Sequence, residues 1–316
     1  MNASLQSSRP EDAREVSLCP ACGGDEHVAV GETAGAIDST MGGVTFRQPA
    51  FSIRACSRCG LYFKSRTLPL DSLEAYAEHR DFSAYEVDED FPTDRILRRA
   101  LGRLPVGRKI LDFGCNTGRI LKAFASGHDC YGVEINAAAA AIAGERGIRI
   151  VSEAQLQSGE QRDFDFIVLA DVYEHLPQPL ELLGPLMSAL KAGGRLAVIT
   201  GNADAIRTRD LMAEYWYFTP PEHLLMMGER HVEWLAGRIG ATVEKLHRCS
   251  HYSIPVSRRA IQYLQSYAYF QFRRNPRGAV SKMLRKAPML RRAERWPRAP
   301  ALSYRPDHFV AIFQKR

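Results

Sequence analysis

Three groups of residues have the types and spacings that chemistry needs. The first is a cysteine quartet, Cys19-Pro20-Ala21-Cys22-Gly23 and Cys56-Ser57-Arg58-Cys59-Gly60, two C-x-x-C-G turns with 33 residues between them. Each turn aims two thiolates at one metal, and the glycine after it lets main-chain N–H groups face sulfur. Four thiolates close a tetrahedral site with no open position, so the expected role is structural, with zinc as the ion and iron as the rival for the same ligands. A redox pair needs only one such turn. The second group is the turn Ile110-Leu111-Asp112-Phe113-Gly114-Cys115-Asn116-Thr117-Gly118. Glycines there let main chain approach a ligand, and a helix start behind them offers free N–H groups. Glu134 follows Asp112 by 22 residues, at the end of the next apolar run, where a carboxylate can hold a ribose diol. A nucleoside-bearing cofactor is implied. The third group is the loop Glu214-Tyr215-Trp216-Tyr217-Phe218-Thr219-Pro220-Pro221-Glu222-His223-Leu224. A histidine titrates near neutrality and suits removal of a proton from an acceptor. His223 is the candidate base, Glu222 its candidate orienter and His175 a second candidate. Cys115 and Cys130 read as small packing residues. His128, His247, His251 and His308 have no motif context.

These groups need elements to position them. From Lys109 onward, short apolar runs alternate with segments at helical spacing, the pattern of parallel βαβ units. The runs predict strands at Lys109–Phe113, Cys130–Glu134, Arg149–Val151, Phe166–Ala170, Gly194–Thr200, Thr242–Leu246 and His308–Gln314. The spacing predicts helices near Arg119–Ala125, Ala137–Glu145, Pro179–Leu190 and His231–Ile239. The expected organisation is a disordered tail over 1–17, a four-cysteine module over 18–66, a helical linker over 67–108 and an α/β domain over 109–316. That domain carries an insertion at about 250–303, before its last strand.

The segment around Asp112, Gly114 and Gly118 does not fit the G-x-G-x-x-G dinucleotide fingerprint. It resembles motif I of the class I S-adenosylmethionine-dependent methyltransferases, with Asn116 in place of a middle glycine. Asn tolerates the left-handed conformation better than most residues. Asp165-Phe166-Ile167-Val168-Leu169-Ala170-Asp171-Val172-Tyr173-Glu174-His175-Leu176 is similar to the family's fourth-strand segment, and Lys191-Ala192-Gly193-Gly194-Arg195-Leu196 to its turn into the fifth strand. The resemblance implies a Rossmann-like seven-stranded sheet with a final antiparallel pair. It implies S-adenosyl-L-methionine as cofactor, with Gly114, Cys115 and Gly118 in the cofactor loop and Asp112 near the cofactor's amino-acid part. It places Glu134 on the ribose, Ile135 beside the adenine, Glu153 near the exocyclic amine and Asp171 at the fourth strand's end beside the site. In related small-molecule enzymes a histidine in the loop after the fifth strand faces the acceptor, which implies His223. Some sugar C-methyltransferases pair an N-terminal cysteine-rich zinc module with a Glu-His loop. The resemblance therefore implies a sugar, glycolipid or natural-product intermediate as acceptor, although the large extra C-terminal domain of those enzymes has no counterpart.

The 316 residues carry a formal charge of +6, with 45% apolar and 25% charged residues. This excludes collagen-like, disulfide-dense and wholly disordered classes. No apolar run reaches the roughly 18 residues of a membrane span, and the N-terminus lacks a signal-peptide core. The expected compartment is a reducing cytoplasm. The +6 is unevenly placed. Between Pro255 and Pro300 stand twelve Lys and Arg against one acid, Glu294, a net +11; the rest holds thirty basic against thirty-five acidic residues, a net −5. Aromatic residues mixed with arginines suit an anionic membrane surface, and equally a phosphorylated or lipid-linked acceptor. A solvated helix pair capping the acceptor site is the simpler reading of 255–300. Two further functions compete with small-molecule methylation. RNA methylation would use the zinc module and the basic segment, but the N-P-P-Y-type motif is replaced by Asp171-Val172-Tyr173-Glu174, which makes nucleic acid the weaker partner. A non-catalytic binding protein would not need Asp112, Gly114, Gly118 and Glu134 together.

Overall fold

The computed structural model describes residues 13–78, 91–206, 209–296 and 299–316. Its centre is a seven-stranded sheet built from β8 (Lys109–Phe113), β9 (Asp129–Val133), β10 (Arg149–Ile150), β11 (Phe164–Ala170), β12 (Leu190–Gly201), β14 (Ala241–Cys249) and β15 (His308–Lys315). The spatial order is β10-β9-β8-β11-β12-β15-β14. β15 runs antiparallel to both of its neighbours, and the other adjacent pairs are parallel. β11 (Phe-Asp-Phe-Ile-Val-Leu-Ala) is nearly all apolar and nearly all buried, as a strand covered on both faces must be. The order reverses at β8, so the crevice for a ligand lies beyond the carboxyl ends of β8 and β11. The fold is the α/β methyltransferase arrangement expected from the sequence.

Helices cover the sheet where the apolar spacing places them. α3 (Ala137–Glu145) starts at Asn136, whose side chain accepts from the N–H groups of Ala138 and Ala139. α4 (Glu153–Gln157) begins with a capping box between Ser152 and Gln155. α5 (Pro179–Ala189) and α6 (Glu229–Arg238) match the expected helices within two residues. The helix expected over Arg119–Ala125 is instead a run of turns. Its bonds mix three- and four-residue steps, such as Phe124 N–H to Leu121 O and Lys122 N–H to Gly118 O.

The N-terminal part is more tightly joined than a module on a linker. β1 (Arg14–Glu15) pairs with β7 (Arg66–Thr67), so the tail expected over 1–17 enters the fold at Arg14; residues 1–12 lie outside the described residues. β2 (His27–Glu32), β5 (Ser52–Cys56) and β6 (Tyr62–Lys64) form a sheet whose fourth strand is β13 (Leu225–Met226), from the loop after β12. β3 (Ile37–Met41) and β4 (Val44–Gln48) form a separate hairpin. In the segment expected as a linker, α1 (Leu70–Glu78) is followed by α2 (Pro92–Leu101), which buries Leu97 and Leu101 with Ile110 and Ile312 of the main sheet. The insertion holds α7 (Val256–Arg274), α8 (Ala279–Leu284) and α9 (Pro288–Arg291). Among the described residues no helix is long and apolar enough to cross a membrane.

Candidate functional site

At the carboxyl end of β8 the chain turns through Gly114 and Asn116, at φ +79° and +48°. Asn116 thus takes the left-handed conformation expected of it. A side chain at Gly114 would meet Val172 Cγ2 at 2.6 Å, and one at Gly118 would meet Ile148 Cδ1 at 2.2 Å. Packing and dihedral both demand glycine there. Glu134 closes the rim. One of its carboxylate oxygens accepts the Asn116 N–H at 2.9 Å and the other the Asn136 N–H at 2.8 Å. Lone pairs remain on both oxygens for hydroxyl donors. Asp112 is buried beneath, and its Oδ1 has no hydrogen-bond partner among the described residues. Burial and the nearby Glu134 push its carboxyl up to about 8. A buried acceptor without a donor is costly, so this atom fits a ligand bearing N–H groups or positive charge.

The other residues expected here are placed as follows. Ile135 is 78% exposed at the rim, an apolar side chain set where a flat base can lie on it. Cys115 contributes its main chain to the turn, but its thiol is buried with Ile120 and Ile148, and burial pushes its pKa up. Glu153 is exposed in the first turn of α4, with Oε1 accepting from the Gln157 side chain at 2.9 Å. Asp171 is exposed at the end of β11 with φ +54°, a strained position for a non-glycine residue.

Beside this turn, a short 3-10 segment (Tyr173–His175) delivers Glu174 and His175, and the loop after β12 returns His223. One ligand atom from each of Glu174, His175 and His223 lies within 4.8 Å of the others. Such a set can hold a divalent cation or relay a proton. The His175 and His223 rings meet edge to face, with centroids 4.9 Å apart. His223 Nδ1–H donates to Tyr217 O at 2.7 Å and His175 Nδ1–H to Glu222 O at 3.1 Å. With a carbonyl as each acceptor, Nδ1 carries the proton and Nε2 is the basic nitrogen of the neutral ring. Glu222 was the expected orienter of His223. The Tyr217 carbonyl also holds that ring, and Glu222 holds His175 through its main-chain carbonyl. Glu174 is fully buried and accepts from Thr200 Oγ1 at 3.0 Å. Burial, then the charge of Asp171, push its carboxyl up to about 7. Tyr217 is buried in the core, yet its hydroxyl bonds Thr200 Oγ1 at 3.0 Å and accepts the Gly201 N–H at 2.9 Å.

Two histidines without motif context also reach this place. β15 is antiparallel, so its first residue, His308, pairs with Gly201 at the end of β12. Its Nδ1 lies 3.2 Å from Asp307 Oδ1, which also accepts the His251 N–H at 2.8 Å. The two rings are 4.5 Å apart. Burial disfavours the His308 cation, but Asp307 beside it holds the pKa above the ordinary value. Burial and the neighbouring His308 push His251 down to about 4. The sequence signal was available: an Asp-His pair opening a last antiparallel strand must sit at the ligand end of the sheet.

The four cysteines converge as expected. Cys19 and Cys59 have sulfurs 3.5 Å apart, as do Cys22 and Cys56, and all four lie within 4.8 Å of one another. A tetrahedral ion with bonds of about 2.3 Å spaces its sulfurs by about 3.8 Å. The two turns are near copies. Gly23 N–H donates to Cys19 O and Gly60 N–H to Cys56 O, with φ at +67° and +76°. No disulfide forms. The quartet is tied to the ligand end of the sheet. His231 bonds Cys59 O at 3.2 Å and the Tyr173 hydroxyl at 2.7 Å. Buried Lys64, one residue past β6's pairing with β13, donates to Pro220 O at 2.7 Å and Gln48 Oε1 at 2.9 Å.

The family described as "Methyltransferase domain" matches residues 76–246. An uncharacterised protein of Methanocaldococcus jannaschii is 32% identical over 124 residues, covering 37% of this chain and 58% of that protein. A ubiquinone biosynthesis O-methyltransferase of Pseudomonas aeruginosa is 28% identical over 120 residues, covering 34% of this chain and 52% of that enzyme. The chain thus spans about half the length of the curated relatives it matches. Among solved structures, a TehB-like S-adenosylmethionine-dependent methyltransferase of Corynebacterium glutamicum is 20% identical, covers 78% of this chain and all of that one, and superimposes with a TM-score of 0.41.

Proposed function

The chain belongs to the methyltransferase-domain family, and on that premise we propose that it methylates a hydroxyl of a small molecule using S-adenosyl-L-methionine. A sugar, glycolipid or natural-product intermediate is the acceptor class. The observation that carries this reading is a juxtaposition. The Asp112–Glu134 turn and the Glu174–His175–His223 cluster stand at neighbouring strand ends of one sheet. The Pseudomonas relative, named an O-methyltransferase, supports oxygen as the methylated atom.

When bound, the cofactor supplies an electrophilic methyl on a sulfonium. Asp112 would hold its ammonium end, Glu134 its ribose hydroxyls and Ile135 its base. His223 takes the acceptor's hydroxyl proton at Nε2 while the Tyr217 carbonyl fixes the ring. His175 and Glu174 stand next in line for that proton, and a carboxyl titrating near neutrality can receive it. With that proton removed, the acceptor oxygen would be the nucleophile toward the cofactor's methyl. Most of the acceleration comes from holding the two partners in line. The four cysteines would hold a structural zinc ion, which would keep β6 and β13 under the acceptor loop.

The test is a titration of the folded protein with S-adenosylmethionine, followed by release of S-adenosylhomocysteine against a panel of hydroxylated acceptors. Binding with no turnover on any hydroxyl overturns the acceptor class. Absence of cofactor binding overturns the whole reading.

A further inference from the structure

The insertion's first helix leaves the body of the protein. From Val256 to Leu264 every residue of α7 is exposed except the half-buried Gln262; burial resumes at Ser266, Ala268, Tyr269 and Phe272. The second half is anchored. Tyr269 donates to Glu214 Oε2 at 2.8 Å, Arg273 pairs with Glu214, and Arg274 pairs with Asp210. The first half is the exposed part, and it touches the body through Tyr263, whose ring meets Tyr304 edge to face. Along it Val256, Ala260, Tyr263, Tyr267 and Phe270 recur at helical spacing, a single stripe. At the base the stripe enters a cavity of about 130 Å3 lined by Tyr263, Tyr267, Phe270, Ile206, Leu302 and Tyr304. A cavity of this order can take a benzene-sized apolar group.

Exposed aliphatic side chains recur across the insertion. Val256 is 79% exposed and Met283 62%, and Ile261, Leu264 and Met289 are each exposed by about two-fifths. Cations stand among them. Arg258, Arg277, Lys282, Lys286, Arg291 and Arg292 are exposed and form no ion pair among the described residues. Interfacial helices combine these two features, because headgroup phosphates attract the cations while the apolar side chains enter the acyl boundary. A nucleic acid would use the same cations, but exposed Val, Ile, Leu and Met gain little from phosphate or sugar.

We propose that α7 to α9 form a docking surface for an anionic lipid bilayer, with the exposed half of α7 lying in the headgroup–acyl boundary. The inference does not depend on methyl transfer and is read without turnover. The full-length protein is sedimented with vesicles of phosphatidylcholine alone and of phosphatidylcholine mixed with phosphatidylglycerol. Binding is expected only to the mixed vesicles, weakening as salt rises. The double variant Arg258→Glu/Arg259→Glu should lower vesicle affinity by about thirty-fold or more. Ile261→Glu/Leu264→Glu should lower it comparably with an unchanged circular dichroism spectrum. A gain-of-signal variant, Ile261→Trp, should show blue-shifted fluorescence on the mixed vesicles. The proposal is overturned if wild type fails to bind mixed vesicles at low salt. It is equally overturned if Ile261→Trp emission does not shift, or if the protein binds a single-stranded RNA oligomer and leaves the vesicles free.

Discussion

Asp112 and Glu134 stand on adjacent strands, yet the fold treats their charges differently. Glu134 has two main-chain N–H donors for its carboxylate, whereas Asp112 Oδ1 has none. Its carboxyl, held up to about 8, is thus mainly protonated at neutral pH before ligand binds. A ligand ammonium favours the ionised form, so binding must release the proton. The sign follows: cofactor affinity rises as pH rises toward the free-state value and levels there. Calorimetry should show about tenfold per unit between about pH 6 and 8. Asp112→Asn should flatten that dependence, and a wild type flat over the same range would refute the role. Glu134→Ala should weaken the cofactor by about a hundredfold, since it removes a charge-assisted hydrogen-bond pair and frees the Asn116 and Asn136 N–H groups. His223→Ala should leave cofactor affinity unchanged and slow turnover by about a hundredfold or more; turnover at the wild-type rate would make the loop histidine structural. These three residues stood out by type and spacing, and the roles expected of Asp112 and His223 came with the family resemblance. His308 and Asp307 carry no motif of their own; only the antiparallel direction of the last strand, which the resemblance implied, puts them at the ligand end of the sheet.

β13 links the cysteine quartet to the acceptor loop. It is two residues long, pairs only with β6 among the described strands, and follows directly on His223 and Leu224. Leu224 N–H also donates to Glu174 O at 2.8 Å, and Lys64 N–H to Leu224 O at 3.0 Å. The loop that carries His223 is thus held from below by the sheet that bears Cys56 and from the side by the Glu174 segment. The C-x-x-C-G turns announced the cysteine cluster in the sequence. A two-residue strand completing another sheet leaves no such trace, because its pairing partner lies about 160 residues away. Stripping the metal with a chelator should therefore unfasten β6 and loosen the loop. Turnover should fall steeply while cofactor affinity changes less, since Asp112 belongs to β8 and Glu134 to the end of β9, not to β6 or β13. Protease cleavage within 215–227 should appear in the stripped protein only. Loss of metal with turnover intact would show that the quartet does not hold the loop.

At the scale of the whole chain, charge divides a net −5 body from a +11 insertion, but packing does not. Phe51 and Ile53 of the N-terminal sheet share one buried cluster with Tyr217 and Phe218 of the acceptor loop and with Tyr269 and Leu290 of the insertion. Cys59 and Phe63 share another with Leu111, Ile167 and Phe313 of the main sheet. The N-terminal sheet is therefore wedged between the catalytic sheet and the insertion, and deleting 250–303 would strip cover from residues at the acceptor loop. Charge patterning showed where cations gather; it could not show that Tyr269 and Phe272 on the same helix are core. Ile53 tests this directly, being fully buried on β5 and distant in sequence from both other parts. Ile53→Ala should cost about 2–5 kcal/mol, as large-to-small core changes do. Calorimetry of the metal-loaded protein should keep one cooperative transition at lower temperature. Hydrogen exchange should quicken in the buried half of α7 as well as in β5. Separate transitions, or unchanged protection in α7, would mean that the three parts fold independently despite their shared core.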